Sequence, residues 1–205
     1  MNARFITFEG IDGAGKSTQI AALVAFLREK GLAVEQTREP GGTPLAESLR
    51  EIVLHRAMHL ETEALLMFAA RREHLAGKIE PALAEGRWVV CDRFSDASYA
   101  YQVGGRGLPD EKFEILEQWV HPRRQPDLTF LFDLDPAVAA ARMAASRAEG
   151  DRFEREQGEF FARVRAAYLE RARRCAQRFH VVDAAQSPDA IRSELFDVVT
   201  RRWSL

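Results

Sequence analysis

Short apolar runs alternate with longer stretches of helical composition along the chain. Five runs, Arg4–Glu9, Ala33–Thr37, Trp88–Cys91, Leu128–Leu134 and Phe179–Val182, are rich in Val, Ile, Leu and Phe. Runs of this length and composition predict strands covered on both faces. Between them lie Lys16–Lys30, Pro44–His55, Thr62–Glu85, Asp110–Val120, Pro136–Arg147, Glu154–Gln177 and Pro188–Arg202, all predicted helices. Strand–helix alternation predicts a parallel sheet between two helical layers, a three-layer α/β/α architecture. Ligands of such sheets bind beyond the carboxyl ends of the strands. The positions just after Glu9, Thr37, Cys91, Leu134 and Val182 are therefore the first places to look for chemistry.

After the first run the chain reads Gly10-x-x-x-x-Gly15-Lys16-Ser17, between a predicted strand and a predicted helix. The spacing is that of a phosphate-binding P-loop. Glycines let the backbone turn its N–H groups inward around an anion, and the helix that follows aims its positive end at the same point. Lys16 can reach the outer phosphates, and the Ser17 hydroxyl can ligate Mg²⁺. A G-x-G-x-x-G dinucleotide fingerprint is absent from this loop.

Composition narrows the class without naming it. The 205 residues are 46% hydrophobic and 29% charged, with a formal net charge of −2, which suits one soluble domain over 1–205 rather than a surface built for nucleic acid. Two cysteines, Cys91 and Cys175, predict neither a disulfide framework nor a metal cluster, and fit a cytoplasmic setting. No basic leader precedes the first strand, and no apolar run approaches the ~20 residues of a bilayer span.

Four further segments fall near the ligand-binding edge. "TREPGGTP" brings Arg38 and Glu39 and is followed by Arg50. In "MFAARREH", Phe68 and Arg72 are four apart on one helix face, where a ring and a guanidinium could stack a flat base and grip its phosphate. A packing Phe beside a solvated Arg is the plainer reading of that pair. "VVCDRFSDASYAYQ" places Asp92 and Arg93 at a strand end, where Asp92 could hold a metal-bound water and Arg93 a phosphate. It also sets Ser98 and Gln102 four apart, and a Gln amide suits a pyrimidine edge that presents both donor and acceptor. In "ASRAEGDRFE", Arg147 and Arg152 flank a Gly-containing acidic turn suited to a mobile, arginine-bearing lid.

Taken together, the segments "FEGIDGAGKST", "TREPGGTP", "FAARREH", "DRFSDASYAYQ" with "GGRG", "PDLTFLFDLDP", and "DRFE" with "FFARVRAAYLE" resemble bacterial thymidylate kinases in order and spacing. The resemblance implies a P-loop kinase fold with a five-stranded parallel sheet and a small helical lid at about 146–154, usually in a homodimer. It implies transfer of the ATP γ-phosphoryl group to dTMP with Mg²⁺. Gly10, Ile11, Asp12, Gly13, Ala14, Gly15, Lys16, Ser17 and Thr18, with Arg147, would hold ATP. Glu39, Arg38, Arg50, Phe68, Arg72, Arg93, Ser98, Tyr101 and Gln102 would hold dTMP, with Phe68 stacked on thymine. Lys16, Arg93, Arg147 and Asp12 would carry catalysis, and Ser17 and Asp92 would serve the metal. Arg71 precedes Arg72, and spacing from Phe68 favours Arg72 as the phosphate grip. The five histidines are expected at surface or packing positions, because an anionic acceptor oxygen needs no strong base. Membrane and nucleic-acid partners are not expected. Rival readings are a GTPase switch, a DNA-partition ATPase and a kinase for another small acceptor. The first lacks an Asn-Lys-x-Asp segment, the second lacks an early loop lysine, and the arginine count argues for a phosphorylated acceptor.

Overall fold

A computed structural model describes residues 3–144, 153 and 158–205. Its five strands are β1 (Phe5–Glu9), β2 (Val34–Arg38), β3 (Trp88–Asp92), β4 (Leu128–Asp133) and β5 (Phe179–Asp183). All pair in parallel, in the order β2-β3-β1-β4-β5. The helices are α1 (Lys16–Glu29), α2 (Pro44–His55), α3 (Leu60–His74), α4 (Glu80–Ala84), α5 (Ser95–Ser98), α6 (Asp110–Val120), α7 (Pro136–Ala144), α8 (Gly158–Arg174) and α9 (Pro188–Trp203). Each expected strand lies within one residue of an observed one.

Alternate residues of β1 feed two cores, as a strand covered on both faces requires. Ile6 and Phe8 pack in the larger core with Leu23 of α1 and Leu195 of α9. Phe5 packs in the smaller one with Val89, Phe94 and Phe113. Each such fully buried side chain contributes roughly 1.5–3 kcal/mol.

The stretch expected as one helix, Thr62–Glu85, is divided. A π-helical turn at Leu75–Ile79 separates α3 from α4. Pro81 explains the break, since it has no N–H to give and its ring crowds the carbonyl one turn back. A second π-helical turn, Tyr99–Gly105, continues α5. The expected lid at about 146–154 and Arg147 lie outside the described residues, apart from Phe153. Among the described residues no helix is long and apolar enough to cross a membrane.

Register decides what reaches the working edge. Asp92, last in β3, pairs with Phe8 on one side and Arg38 on the other. Past that level the backbone continues the pattern: Glu39 N donates to Asp92 O and Arg93 N donates to Phe8 O, both at 2.9 Å. The P-loop, Glu39 and Arg93 therefore emerge side by side. β1 connects outward to β2 and β3 connects across to β4, so β1 and β3 flank the point where the winding reverses.

Candidate active site

The helix after the P-loop starts differently from α2 and α9. Thr43 caps α2 by accepting from Ala46 N, and Ser187 caps α9 by accepting from Ala190 N. At α1 the cap position is Gly15, in the left-handed region at φ 88°, with no side-chain cap. The leading N–H groups of α1 thus face the loop's interior, where an anion is the natural acceptor. Gly13 shows why bulk is barred here. Its φ is +80°, and a Cβ would lie 2.6 Å from the Ala139 carbonyl oxygen of α7.

Lys16 is buried, and its Nζ donates to the carbonyls of Gly10 and Ile11, each at 2.9 Å. Burial pulls its pKa down to about 8 and the Arg93 charge adds to this, while Asp12, Asp92 and Glu9 oppose it. Arg93 follows β3 with φ 70°, a conformation that costs a side-chain-bearing residue of order 1–3 kcal/mol. Its guanidinium is held by Asp12 Oδ1 at 2.9 Å and Tyr168 Oη at 3.1 Å, and lies over the Tyr101 ring at 5.0 Å. Tyr168 in turn donates to Glu9 Oε2 at 2.9 Å, and Phe94 N donates to Glu9 Oε1 at 2.7 Å.

Two cavities meet at this edge. One, of about 290 Å³, is bordered by Gly13, Gly15, Lys16 and Thr18 of the P-loop and by Arg142 of α7. The other, of about 300 Å³, is bordered by Arg38, Glu39, Arg50, Arg93, Tyr101 and Gln102. Asp12, Ser17 and Asp92 line both. Ser17 is exposed, and Asp92 Oδ1 is buried without a hydrogen-bond partner in the protein. A hydroxyl and a carboxylate at one junction form a donor set that suits a hard divalent cation also bound by phosphate oxygens. Of the remaining P-loop positions, Gly10 and Ile11 supply the carbonyls that receive Lys16, and Ala14 is buried beneath the loop.

The acceptor side corrects three expectations. Arg72 does not face the cavity. Its guanidinium donates to Val120 O and Glu80 Oε2 and is 47% exposed. Arg71, 1% exposed, is the arginine turned inward. It donates to Glu39 Oε2 at 2.8 Å, Phe94 O at 3.1 Å and Ser98 Oγ at 3.0 Å. Phe68 is not a cavity wall either. It is buried, with the Arg71 guanidinium 4.7 Å from its ring centre and the His121 ring stacked at 6.2 Å, and Met67 lines the cavity instead. Ser98 lies behind the cavity as the acceptor for Arg71. Arg72 and Phe68 miss the cavity for one reason: the inward stripe of α3 is Glu63, Met67, Arg71 and His74, one residue out of step with them. The 4-4-3 spacing of that stripe was a helical-face signal present in the sequence.

His74 is not a surface residue. It is fully buried, with Nε2 2.7 Å from Thr37 Oγ1 and Nδ1 3.0 Å from Glu39 Oε1. Burial alone would raise the Glu39 pKa, but Arg71 and His74 together outweigh it and hold the carboxyl below its usual value. Arg38 and Arg50 reach the rim, where Arg38 pairs with Glu47 at 2.9 Å and Arg50 donates to Pro40 O at 3.0 Å.

The family model for thymidylate kinase matches residues 8–195. A thymidylate kinase of Methylobacillus flagellatus is 59% identical over 199 residues, covering 97% of this chain and 98% of its own. One of Cupriavidus pinatubonensis is 60% identical over 202 residues, covering 98% and 99%. Among solved structures, the thymidylate kinase of Ehrlichia chaffeensis superimposes with a TM-score of 0.79 at 33% identity, over 97% of this chain and 99% of that one.

Proposed function

The chain belongs to the thymidylate kinase family, and on that premise we propose how its own residues serve the reaction. It phosphorylates dTMP to dTDP at the expense of ATP, a step towards dTTP. The observation that carries the assignment of roles is the meeting of two cavities at Asp12, Ser17 and Asp92. The P-loop cavity takes the ATP phosphates and the cavity lined by Arg38, Glu39 and Gln102 takes dTMP, so donor and acceptor phosphates face one another across those three residues.

Lys16, already inside the loop, turns from the Gly10 and Ile11 carbonyls to the phosphates. Arg93, aimed by Asp12 and Tyr168, neutralises charge where the two nucleotides meet. The dTMP oxygen is already anionic, so the protein positions it and cancels charge rather than removing a proton. Ser17 and Asp92 would hold Mg²⁺ brought with ATP, and the ion would supply further neutralisation of the phosphates. At the base end, Gln102 Oε1 and Arg71 Nη1 are buried and lack protein partners. An acceptor and a donor of this kind match the N3–H and O4 of thymine. Pro40, Val53, Leu54, Met67 and Ala97 give the cavity its apolar wall.

The test is ADP release with ATP and Mg²⁺ across a panel of nucleoside monophosphates. dTMP is expected to lead. dUMP should trail by roughly 10–200-fold, the worth of one methyl of about 1–3 kcal/mol. No ADP release with dTMP would overturn the reading.

We also propose that the protein works as a cytoplasmic homodimer, acting as one domain with a lid over about 146–154. The unpaired thiols of Cys91 and Cys175 suit a reducing compartment. Neighbouring helices α3 and α6 expose Leu65, Ile115 and Trp119, the last to 77%, the kind of apolar surface that subunits cover. Sedimentation should show a dimer that Trp119→Asp dissociates, and a monomeric wild type would refute it.

A further inference from the structure

We propose that Glu63, a positioning residue, sets the hydrogen-bonding polarity of the base site by holding the Gln102 amide in one orientation. This rests on reading the cavity that Gln102 lines as the dTMP site.

A Gln amide turned end for end fills nearly the same space but exchanges donor for acceptor. The torsion that turns it has only broad, two-fold preferences, so a neighbour must decide which end faces a ligand. Gln102 lines the cavity with 2% of its surface exposed. Its Nε2 donates to Glu63 Oε1 at 2.9 Å. Glu63 is 1% exposed, on the inward stripe of α3. An ionised carboxylate only accepts, so the reversed amide would set two oxygens against each other in a buried place. Arg106, just past the turn that carries Gln102, approaches the same Glu63 oxygen with Nε at 3.1 Å and fixes the carboxylate between the two.

With Nε2 committed, Gln102 Oε1 is buried and unpartnered. The site therefore offers an acceptor. It favours a ring N–H, as in 2,4-dioxopyrimidines, and rejects a 4-aminopyrimidine, whose N3 presents a lone pair. A neutral amide at position 63 would both donate and accept, and Gln102 could then face either way.

The test is Glu63→Gln, with kcat/KM measured for dTMP, dUMP and dCMP. The dTMP-to-dCMP preference is expected to fall about tenfold or more. The dTMP-to-dUMP preference, set by the methyl alone, should stay unchanged, as should KM for ATP. In a Gln102→Met background the same substitution should move neither ratio. If Glu63 is only half of an ion pair, the dTMP-to-dCMP preference will hold or all acceptors will weaken alike, and either result overturns the proposal. Should the single variant melt below assay temperature, Glu63→Gln with Arg106→Gln removes both charges and carries the same comparison. Wild-type protein with no dTMP-over-dCMP preference would instead defeat the underlying reading of the cavity. A wild-type preference that survives Glu63→Gln would defeat the role of Glu63 alone.

Discussion

Arg71 carries its guanidinium into the interior between Glu39, Ser98 and the Phe94 carbonyl, while Arg72 reaches out to Glu80. Removing either costs what its surroundings dictate. Arg71→Ala leaves Glu39 buried with only His74 beside it, and loss of one partner of a buried pair costs about 3–5 kcal/mol. Arg72→Ala gives up an exposed pair worth about 0–1 kcal/mol. Denaturant melts should separate the two by several kcal/mol, and dTMP affinity should fall only in the first. Equal effects would place both arginines on the same footing and undo the orientation described here. Spacing in the sequence favoured Arg72 over Arg71, whereas the structure turns Arg71 inward, because adjacent residues of a helix differ by about 100° and only packing fixes the helix's rotation.

At the scale of the element, the P-loop joins backbone shape to the packing of α7. Gly13 and Gly15 both have positive φ, at +80° and +88°. A Cβ on Gly13 would meet the Ala139 backbone, whereas a Cβ on Gly15 would meet nothing within 4 Å. Gly15→Ala is therefore expected to lose about 1–2 kcal/mol from backbone strain alone and to retain ATP binding at raised KM. Gly13→Ala carries a similar strain plus a clash with a fixed carbonyl, and should lose more stability and most ATP affinity. Thermal unfolding and the ATP KM of the two variants check the order, and a reversed order would contradict the packing of α7 on the loop. The glycine spacing was plain in the sequence. Which glycine touches α7 was not, since that contact spans more than a hundred residues.

For the whole molecule, two buried groups shape stability with pH in opposite ways. Burial, with the Asp96 charge added, pushes the Glu9 pKa from 4.5 up to about 8, against Arg93 and the bonds from Tyr168 and Phe94. Between those values the folded state holds a proton that the unfolded chain releases. Glu9 therefore contributes stability at low pH that is lost as pH rises through 8. Burial, with the Arg71 charge added, pushes His121 from 6.5 down to about 4. Its contribution is present above 6.5 and fades as pH falls through 4. Glu9→Gln should accordingly flatten the decline in melting temperature between pH 5 and 8 while leaving the acid limb in place. Parallel profiles for wild type and variant would mean that Glu9 is ionised throughout.

The sequence by itself determined the strands to within a residue, the parallel α/β class, the P-loop and the family, because these follow from local periodicity, spacing and covalent order. Only the tertiary structure decided the strand order, the inward stripe of α3, the seating of Glu39 between Arg71 and His74, and the pairing of Glu63 with Gln102. Those depend on how faces rotate and pack against residues distant in the chain, and a one-residue turn of a helix exchanges a ligand-facing side chain for a solvated one at little local cost.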